Sequence, residues 1–489
     1  MANTSYIIGL DQGTTGTTAL LFDQNRTLIG KSYAEHQQYF PQPGWVEHDP
    51  NEIFENALLV IRRVLQETGI SAQQIAGIGI TNQRETSIVW NKKNSKPIHP
   101  AIVWQCRRTT EECERLNRIK GLAESIQQTT GLTIDPYFSA TKMAWILKHY
   151  ALTNTHDLAA GTIDSWLIWN FTKGKLHATD MTNASRTLLF DIHKRVWSQE
   201  LCKQLEVPIE ILPTVQPSQT RFGCVDASYF GHEIPILGVI GDQQAALFGH
   251  GATQPFQAKC TFGTGAFALV HCGSKPLVSK HRLLTTLANG DHGNTEYALE
   301  GSVFMAGSII QWLRDELKII NDASEMDLLA QSISDNQGIY LVPAFVGLGA
   351  PYWKPNVRGI LTGMHLATNR THFARAALES IAYQIGDLFY AMESDSGKPI
   401  SQLAVDGGVT HSKFLMQFLS DLLQIPIHKS KMVEMTAFGA AKLAAIQVGW
   451  DFSNKKDFFD TFHPKNESSV MEKNLQGWRK AVAQVLVGT

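Results

Sequence analysis

The chain has 489 residues, a formal net charge of −2 at pH 7 and a hydrophobic fraction of 43%. That length exceeds a typical single core and predicts two large domains, while the near-neutral charge argues against a nucleic-acid partner. No apolar run is long enough to span a bilayer, so we expect no stable membrane association. The six cysteines form no C-x-x-C pair, which favours reduced thiols in a cytoplasmic protein.

The first predicted element is a β-hairpin. The apolar residues 7–10 lead into Asp11, a Gly-Thr turn at residues 13–15, and a second apolar strand over residues 18–22. The backbone N–H groups of such a turn and its Thr hydroxyls can bind a phosphate, and Asp11 can hold a divalent cation beside it. By itself this pattern fits an ordinary hairpin equally well, and the sequence contains no P-loop motif.

The following segments alternate helix and strand. Residues 49–52 carry the Asp, Pro and Glu that are typical of the N-cap, N1 and N3 positions of a helix. A strand over residues 75–80 precedes the polar residues 81–85, and a strand over 101–104 precedes a helix that begins near Arg107. Ligands of open α/β sheets bind at the carboxyl ends of strands, so these polar residues are candidates for a site.

Asp242 is the predicted catalytic residue. It follows an apolar strand over residues 234–240 and precedes a small-residue helix over residues 245–249. A hydroxyl that attacks a phosphoryl group needs a group that orients it and accepts its proton, and a carboxylate at a strand end can do so. The alternative role for this residue is that of a helix N-cap.

The second half repeats the hairpin pattern. Residues 259–270 again give a strand, a Gly-Thr-Gly turn and a strand. Residues 403–408 form an apolar strand that ends in Asp-Gly-Gly, and an amphipathic helix follows over residues 414–422. Two phosphate hairpins together with this third unit are typical of the nucleotide cleft of actin-like ATPases.

Two longer helices complete the second half. An amphipathic helix is predicted over residues 373–392 and an alanine-rich helix, suited to close packing on a sheet, over residues 437–445. Gly, Thr, Pro and Gln separate the two periodic halves near residue 252. We therefore predict an N-terminal domain over residues 1–251 and a C-terminal domain over residues 252–489.

Adjacent Arg84 and Glu85 offer donors beside an acceptor, which suits the neighbouring hydroxyls of a polyol. Such a pair is, in isolation, more often a surface ion pair. Trp104, Tyr137 and Phe267 can supply a flat apolar wall for the C–H face of a small polyol, although aromatic residues more often belong to the core.

These motifs resemble the FGGY family of sugar and polyol kinases over nearly the whole chain. The segments that carry the resemblance are residues 10–15, 43–50, 79–86, 101–108, 135–139, 183–187, 241–249 and 347–353. The resemblance implies an α/β fold class with two ribonuclease-H-like, actin-like ATPase domains flanking a central cleft. It also implies ATP-dependent phosphorylation of glycerol to glycerol 3-phosphate, with Mg²⁺, by a homodimer or homotetramer.

The family motifs assign expected roles residue by residue. Those matching the contacts of the substrate glycerol are Arg84, Glu85, Trp104, Tyr137, Asp242, Gln243 and Phe267. Those matching nucleotide contacts are Thr14, Thr15, Gly16, Thr264, Gly307, Gln311, Gly408 and Ser412. Asp242 matches the general base, and Asp11 matches the Mg²⁺ site.

The sequence also departs from the family pattern. Thr18 stands where many polyol kinases have Arg, and Ser412 where an adenine-side Asn is common. The segment 226–233 lacks the Gly- and Arg-rich loop of relatives that a sugar bisphosphate regulates, and it lacks the in-register His of relatives that are regulated by phosphorylation. We therefore expect neither form of regulation. Two other functions stay open: a kinase of a longer polyol or ketose, and an actin-like ATPase that acts as a chaperone or filament.

Overall fold

The computed structural model describes residues 5–151, 155–290, 294–354, 356–453 and 458–487. The strands of the first half are β1 (Tyr6–Gln12), β2 (Gly16–Phe22), β3 (Leu28–Glu35), β4 (Glu47–His48), β5 (Ile75–Asn82), β6 (Ile88–Asn91), β7 (Lys96–Pro97), β8 (Ala101–Ile102), β9 (Leu158–Gly161), β10 (Ala178–Asp180), β11 (Phe190–Asp191), β12 (Val196–Trp197), β13 (Thr214–Gln216), β14 (Cys224–Val225) and β15 (Ile234–Gly241). Its helices are α1 (Pro50–Thr68), α2 (Thr110–Asn117), α3 (Leu122–Thr130), α4 (Ser139–Tyr150), α5 (Ile163–Phe171), α6 (Met181–Ala184), α7 (Gln199–Gln204), α8 (Ala227–Phe230) and α9 (Asp242–Gly249).

The second half has its own strands and helices. The strands are β16 (Gln257–Phe262), β17 (Ala266–Gly273), β18 (Leu284–Asn289), β19 (Thr295–Val303), β20 (Tyr340–Val342), β21 (Ile360–Thr362), β22 (Gln402–Asp406), β23 (Ile427–Ser430) and β24 (Phe459–Phe462). The helices are α10 (Gly307–Asp315), α11 (Glu325–Gln331), α12 (Arg370–Ser396), α13 (Lys413–Leu423), α14 (Met435–Gln447) and α15 (Ser468–Val487). Within the described ranges, no helix combines the length and apolarity that crossing a bilayer requires.

Each half is built on one large mixed sheet. The first sheet has the order β14-β15-β5-β1-β2-β3, and the second has the order β18-β19-β17-β16-β22-β23-β24. In both, an antiparallel hairpin (β1 with β2, β16 with β17) has its first strand paired in parallel with a later strand (β5, β22). Both predicted hairpins are therefore confirmed, and they occupy matching places in the two sheets.

The first helix begins as the sequence predicts, with one difference in its cap. Asp49 is the N-cap of α1, and its carboxylate accepts a hydrogen bond of 2.8 Å from the backbone N–H of Asn51. Glu52 does not complete a capping box, because its carboxylate accepts from the backbone N–H of Gln37 instead. The helix predicted near Arg107 begins three residues later, at the start of α2.

The prediction that helix α12 is amphipathic is wrong, because α12 is buried on most of its surface. It packs against α11 and α13 on its sides and also contacts strands β17 and β19. The ring of Trp478 from α15 stacks on Tyr383 of α12 at a centroid distance of 5.3 Å. The core of the second half thus surrounds this helix rather than lying on one side of it.

Helix α14 belongs to the second half of the chain but packs on the first sheet. It contacts β1, β5 and β15, and it also contacts α9. The approach is very close: a Cβ on Gly79 would lie 1.9 Å from the backbone oxygen of Ala440, and one on Gly9 would lie 2.2 Å from that of Ala437. Only glycine fits at these two strand positions. The first sheet is therefore covered by α1 on one side and α14 on the other.

Candidate active site

The polar ends of three parallel strands meet at one edge of the first sheet. β5 lies between β1 and β15, with Thr81 in register with Asp11 on one side and Ile240 on the other. The residues that follow each strand end, including Arg84 and Asp242, therefore share this edge. The open α/β architecture places ligands at this position.

Asp242 is the first residue of α9, and Gly241 is the N-cap. The Asp242 carboxylate accepts a 2.6 Å hydrogen bond from the backbone N–H of Gln243, and its side chain is 28% exposed. The backbone N–H of Gly241 donates to the Thr182 hydroxyl at 2.8 Å, which holds the turn. Asp242 is therefore not the N-cap of α9, and its side chain remains partly open to solvent.

Arg84 and Glu85 form a tight three-residue turn after β5. The backbone N–H of Thr86 donates to the carbonyl of Arg84 at 2.7 Å, and Glu85 has a φ of +61°. The hydroxyls of Ser87 and Ser139 both donate to the Glu85 carbonyl at 3.0 Å. A left-handed non-glycine residue costs about 1–3 kcal/mol and is found where the surroundings fix it, often at functional sites.

The Arg84 and Glu85 side chains are each only 2% exposed, so this pair is not a surface ion pair. Burial would lower the pKa of Arg84, but the neighbouring Glu300 and Glu85 hold it above its ordinary value. Burial raises the pKa of Glu85, although Arg84 and Arg186 oppose that shift. The Arg84 Nε lies 3.2 Å from a carboxylate oxygen of Asp242. The predicted polyol residues and the predicted base are therefore in contact.

The three predicted wall residues form one aromatic cluster. The Trp104 ring meets the Tyr137 and Phe267 rings edge to face, with centroid distances of 5.6 and 6.4 Å. Phe267 comes from β17 of the second half, whereas the other two come from the first half. The wall is therefore assembled from both halves, and each of its three residues is partly exposed.

The first phosphate turn is joined directly to this wall. The Trp104 indole N–H donates a 2.9 Å hydrogen bond to the Thr14 hydroxyl. The turn itself is closed by a 2.8 Å bond from the Gly13 N–H to the Gly16 carbonyl, and the Thr15 carbonyl accepts from the N–H of His36. The turn residues predicted to bind nucleotide thus lie next to the residues predicted to bind polyol.

Asp11 is a residue that could hold a cation. One of its carboxylate oxygens is buried without a hydrogen-bond partner among the described residues. Burial, with the charges of Asp242 and Glu434, raises the pKa of Asp11 well above its ordinary value. A bound divalent cation would offset both effects. Thr18, opposite Asp11 on β2, brings no positive charge to this position.

The second phosphate turn packs against the start of α10. The backbone N–H groups of Ala306 and Ser308 both donate to the Thr264 carbonyl, and that of Gly307 donates to the Gly263 carbonyl at 2.9 Å. A Cβ on Gly307 would lie 2.6 Å from the Gly263 oxygen, so a larger residue would push the turn away. Gln311 lies one turn further along α10, with an exposed side chain.

The remaining predicted nucleotide residues follow β22. Gly407 has a φ of +93°, and a Cβ there would lie 2.2 Å from the Phe262 oxygen at the end of β16. Gly408, by contrast, faces open space. The Ser412 hydroxyl caps α13 by accepting from the Leu415 N–H at 3.1 Å, and it also donates to the Asp327 carboxylate. Its side chain is therefore already engaged within the protein.

The site contains three charged residues without a role in the sequence analysis. Lys259, on β16, donates to the side-chain oxygen of Gln243 and to the Thr261 hydroxyl. Arg186 donates to Glu85 at 2.6 Å, and Glu300 accepts from Arg84. The sequence signal was a charged residue within a largely apolar strand: Lys259 is the single charge of β16, and Glu300 is one of two charges on β19.

The two sheets with matching hairpins, and the polar strand ends beside them, are typical of phosphotransferases of the actin-like, ribonuclease-H-like type. The chain belongs to the FGGY family of carbohydrate kinases: the N-terminal domain model of that family matches residues 6–249 and the C-terminal domain model matches residues 258–448. The resemblance drawn from the sequence motifs is thereby confirmed.

Similar proteins cover the whole chain. The chain is 48% identical to glycerol kinases of Caldanaerobacter subterraneus subsp. tengcongensis and Shewanella baltica, and in each comparison at least 98% of both proteins is covered. The structure is similar to the crystal structure of Plasmodium falciparum glycerol kinase with ADP, with a TM-score of 0.92 and 35% identity over 99% of this chain and 98% of that one.

Proposed function

We propose that this protein transfers the γ-phosphoryl group of ATP to glycerol and releases glycerol 3-phosphate and ADP. The observation that carries the proposal is the buried Arg84–Glu85 pair in contact with Asp242. The aromatic wall stands beside the first phosphate turn, to which Trp104 is hydrogen bonded. The full-length similarity to proteins named glycerol kinase supports the same substrate.

On the polyol side, some residues bind the substrate and one takes part in the chemistry. Arg84 donates to one hydroxyl and Glu85 accepts from its neighbour, while the aromatic wall covers the C–H face and limits the length of the polyol. Asp242 orients the terminal hydroxyl and accepts its proton as the oxygen attacks the γ-phosphorus and ADP leaves. Holding the two reactants in line supplies much of the rate acceleration.

The residues that bind ATP come from both halves of the chain. In the proposal the two turns cradle the phosphates through Thr14, Thr15, Gly16 and Thr264, and the adenosine side rests on Gly307, Gln311, Gly408 and Ser412. Asp11 would hold Mg²⁺ through its unpartnered oxygen. When bound, Mg²⁺ supplies positive charge that neutralises the transferring phosphates.

We extend the proposal to the domain boundary, the assembly and the cellular location of the protein. The domains divide at residues 251 and 252, between the two matched family segments. Two or four identical copies assemble, as the resemblance implies. The protein works in the cytoplasm, which suits six cysteines that are all free thiols.

The test combines a variant with a substrate panel. Asp242→Asn is expected to lower turnover about 10²- to 10⁴-fold. Calorimetry is expected to show that glycerol still binds to this variant. Asp460→Asn, an exposed acidic residue on β24, serves as the control and is expected to leave turnover unchanged. Release of ADP is measured with glycerol, erythritol, xylulose and gluconate.

The results separate the competing functions. Preference for a five- or six-carbon substrate would overturn glycerol as the substrate. Equal ATP hydrolysis without any polyol, or light scattering that rises with ATP alone, would favour a chaperone or filament instead. Turnover near the wild-type rate in Asp242→Asn would remove Asp242 as the base.

A further inference from the structure

Glu300 is a buried carboxylate from the second half that enters the polyol site of the first. It lies on β19, and its side chain is 3% exposed. Its two oxygens accept from the two terminal nitrogens of Arg84 at 2.7 and 2.8 Å, a bidentate pair. One of those oxygens also accepts from Arg186 at 3.0 Å.

Phe267 and Glu300 reach the site from the same sheet face. On β17 and β19, Phe267 is in register with Ser302, and Leu269 is in register with Glu300. Cross-strand partners point to the same face of a sheet, as do residues two apart along a strand. The second half therefore contributes one aromatic wall residue and one carboxylate side by side.

The Glu300 contacts leave Arg84 with little freedom. Nη1 donates to Glu300 and to the side-chain oxygen of Gln244 at 3.1 Å, Nη2 donates to Glu300, and Nε lies 3.2 Å from Asp242. A guanidinium has five N–H donors. Three of them are hydrogen bonded to protein acceptors, so the Nε N–H beside Asp242 and one Nη2 N–H are left for a ligand.

The charges at this point are balanced. Arg84 and Arg186 contribute two positive charges, and Glu85 and Glu300 contribute two negative ones, all in side chains that are 3% exposed or less. The two arginines hold the pKa of Glu300 at about 2 despite its burial. Removing one partner of such a set leaves an uncompensated buried charge.

We propose that Glu300 is a positioning residue of the polyol site, which holds Arg84 so that one N–H faces one substrate hydroxyl. Discrimination for a short polyol then depends on a carboxylate from the second half. The inference rests on the proposed function, because it takes Arg84 as a substrate contact.

The test is Glu300→Gln, which keeps the shape of the side chain and removes its charge. Loss of a charge-assisted hydrogen bond is expected to raise KM for glycerol about 10- to 100-fold, while KM for ATP changes by less than about 2-fold. Because Arg84 gains free donors, the ratio of kcat/KM for glycerol to that for erythritol is expected to fall. A loss of stability alone would not change this ratio.

Glu379→Gln is the matched control. Glu379 is equally buried and ion-paired, to Arg375 at 2.7 Å, but its other hydrogen bonds go to Asn336 and Tyr383 on and beside α12. It is expected to lower the melting temperature and leave both KM values unchanged. Glu300→Asp, which keeps the charge but is one methylene shorter, is expected to give a KM for glycerol between wild type and Glu300→Gln.

The outcomes are separable from those of the proposed function. If wild type prefers another polyol of the panel, the glycerol proposal fails, and the same variants measured on that polyol still decide the role of Glu300. Unchanged KM and unchanged substrate ratio in Glu300→Gln, or in Glu300→Asp if the first variant does not fold, would overturn the inference. A wild type that phosphorylates no polyol would overturn both.

Discussion

Replacing Trp104 with Phe tests whether the polyol wall and the first phosphate turn act together. The change keeps an aromatic ring but removes the indole N–H that donates to the Thr14 hydroxyl at 2.9 Å. A neutral, partly buried hydrogen bond contributes about 0.5–1.5 kcal/mol. We therefore expect kcat/KM for ATP, at saturating glycerol, to fall about 2- to 10-fold.

A double-mutant cycle with Thr14→Val isolates that bond. The combined variant is expected to lose little more than either single variant, with a coupling energy of about 1 kcal/mol. Trp169→Phe is the matched control, because the Trp169 indole N–H donates to the Ser95 hydroxyl at the same 2.9 Å but away from the site. Losses that simply multiply in the double variant would refute the connection between wall and turn.

Two further predictions concern stability. Gly79→Ala places a Cβ 1.9 Å from the Ala440 oxygen, so we expect a loss of about 1–3 kcal/mol in urea unfolding, whereas Gly408→Ala, which faces open space, should unfold like wild type. Burial raises the pKa of Asp387 to about 6, above its ordinary value of 3.8. The folded state therefore retains this proton longer, and stability falls as pH rises through that interval. Asp387→Asn should raise the free energy of unfolding at pH 8 by up to about 3 kcal/mol, seen as a higher melting temperature, and should have little effect at pH 4. An equal effect at both pH values would contradict this assignment.

The hairpins and strand ends were predictable because their signals are local. An apolar run followed at once by a Gly-Thr turn specifies a hairpin within about twenty residues, and both turns lie where the sequence predicts them. The position of Asp242 was predictable for the same reason, since this residue stands at a junction of strand and helix, and its role as the base stays a prediction. Family motifs then supplied roles that the local pattern left open.

Other features depend on contacts between distant parts of the chain. α12 is buried on most of its surface because it contacts α11, α13 and α15. The sequence of α12 alone does not reveal these contacts. Glu300 pairs with Arg84 across 216 positions, so its role is visible only once the two sheets are brought together. A charged residue in a largely apolar strand indicates a buried partner but does not identify it.

The close packing of α14 on the first sheet limits how the polypeptide can be cut into fragments that fold. Glycines on β1 and β5 are shaped to receive a helix that the ribosome makes more than 350 residues later. A fragment ending near residue 251 would present that bare glycine groove to solvent, with apolar strands beneath it. The N-terminal unit thus completes its folding only after nearly the entire polypeptide has been synthesised.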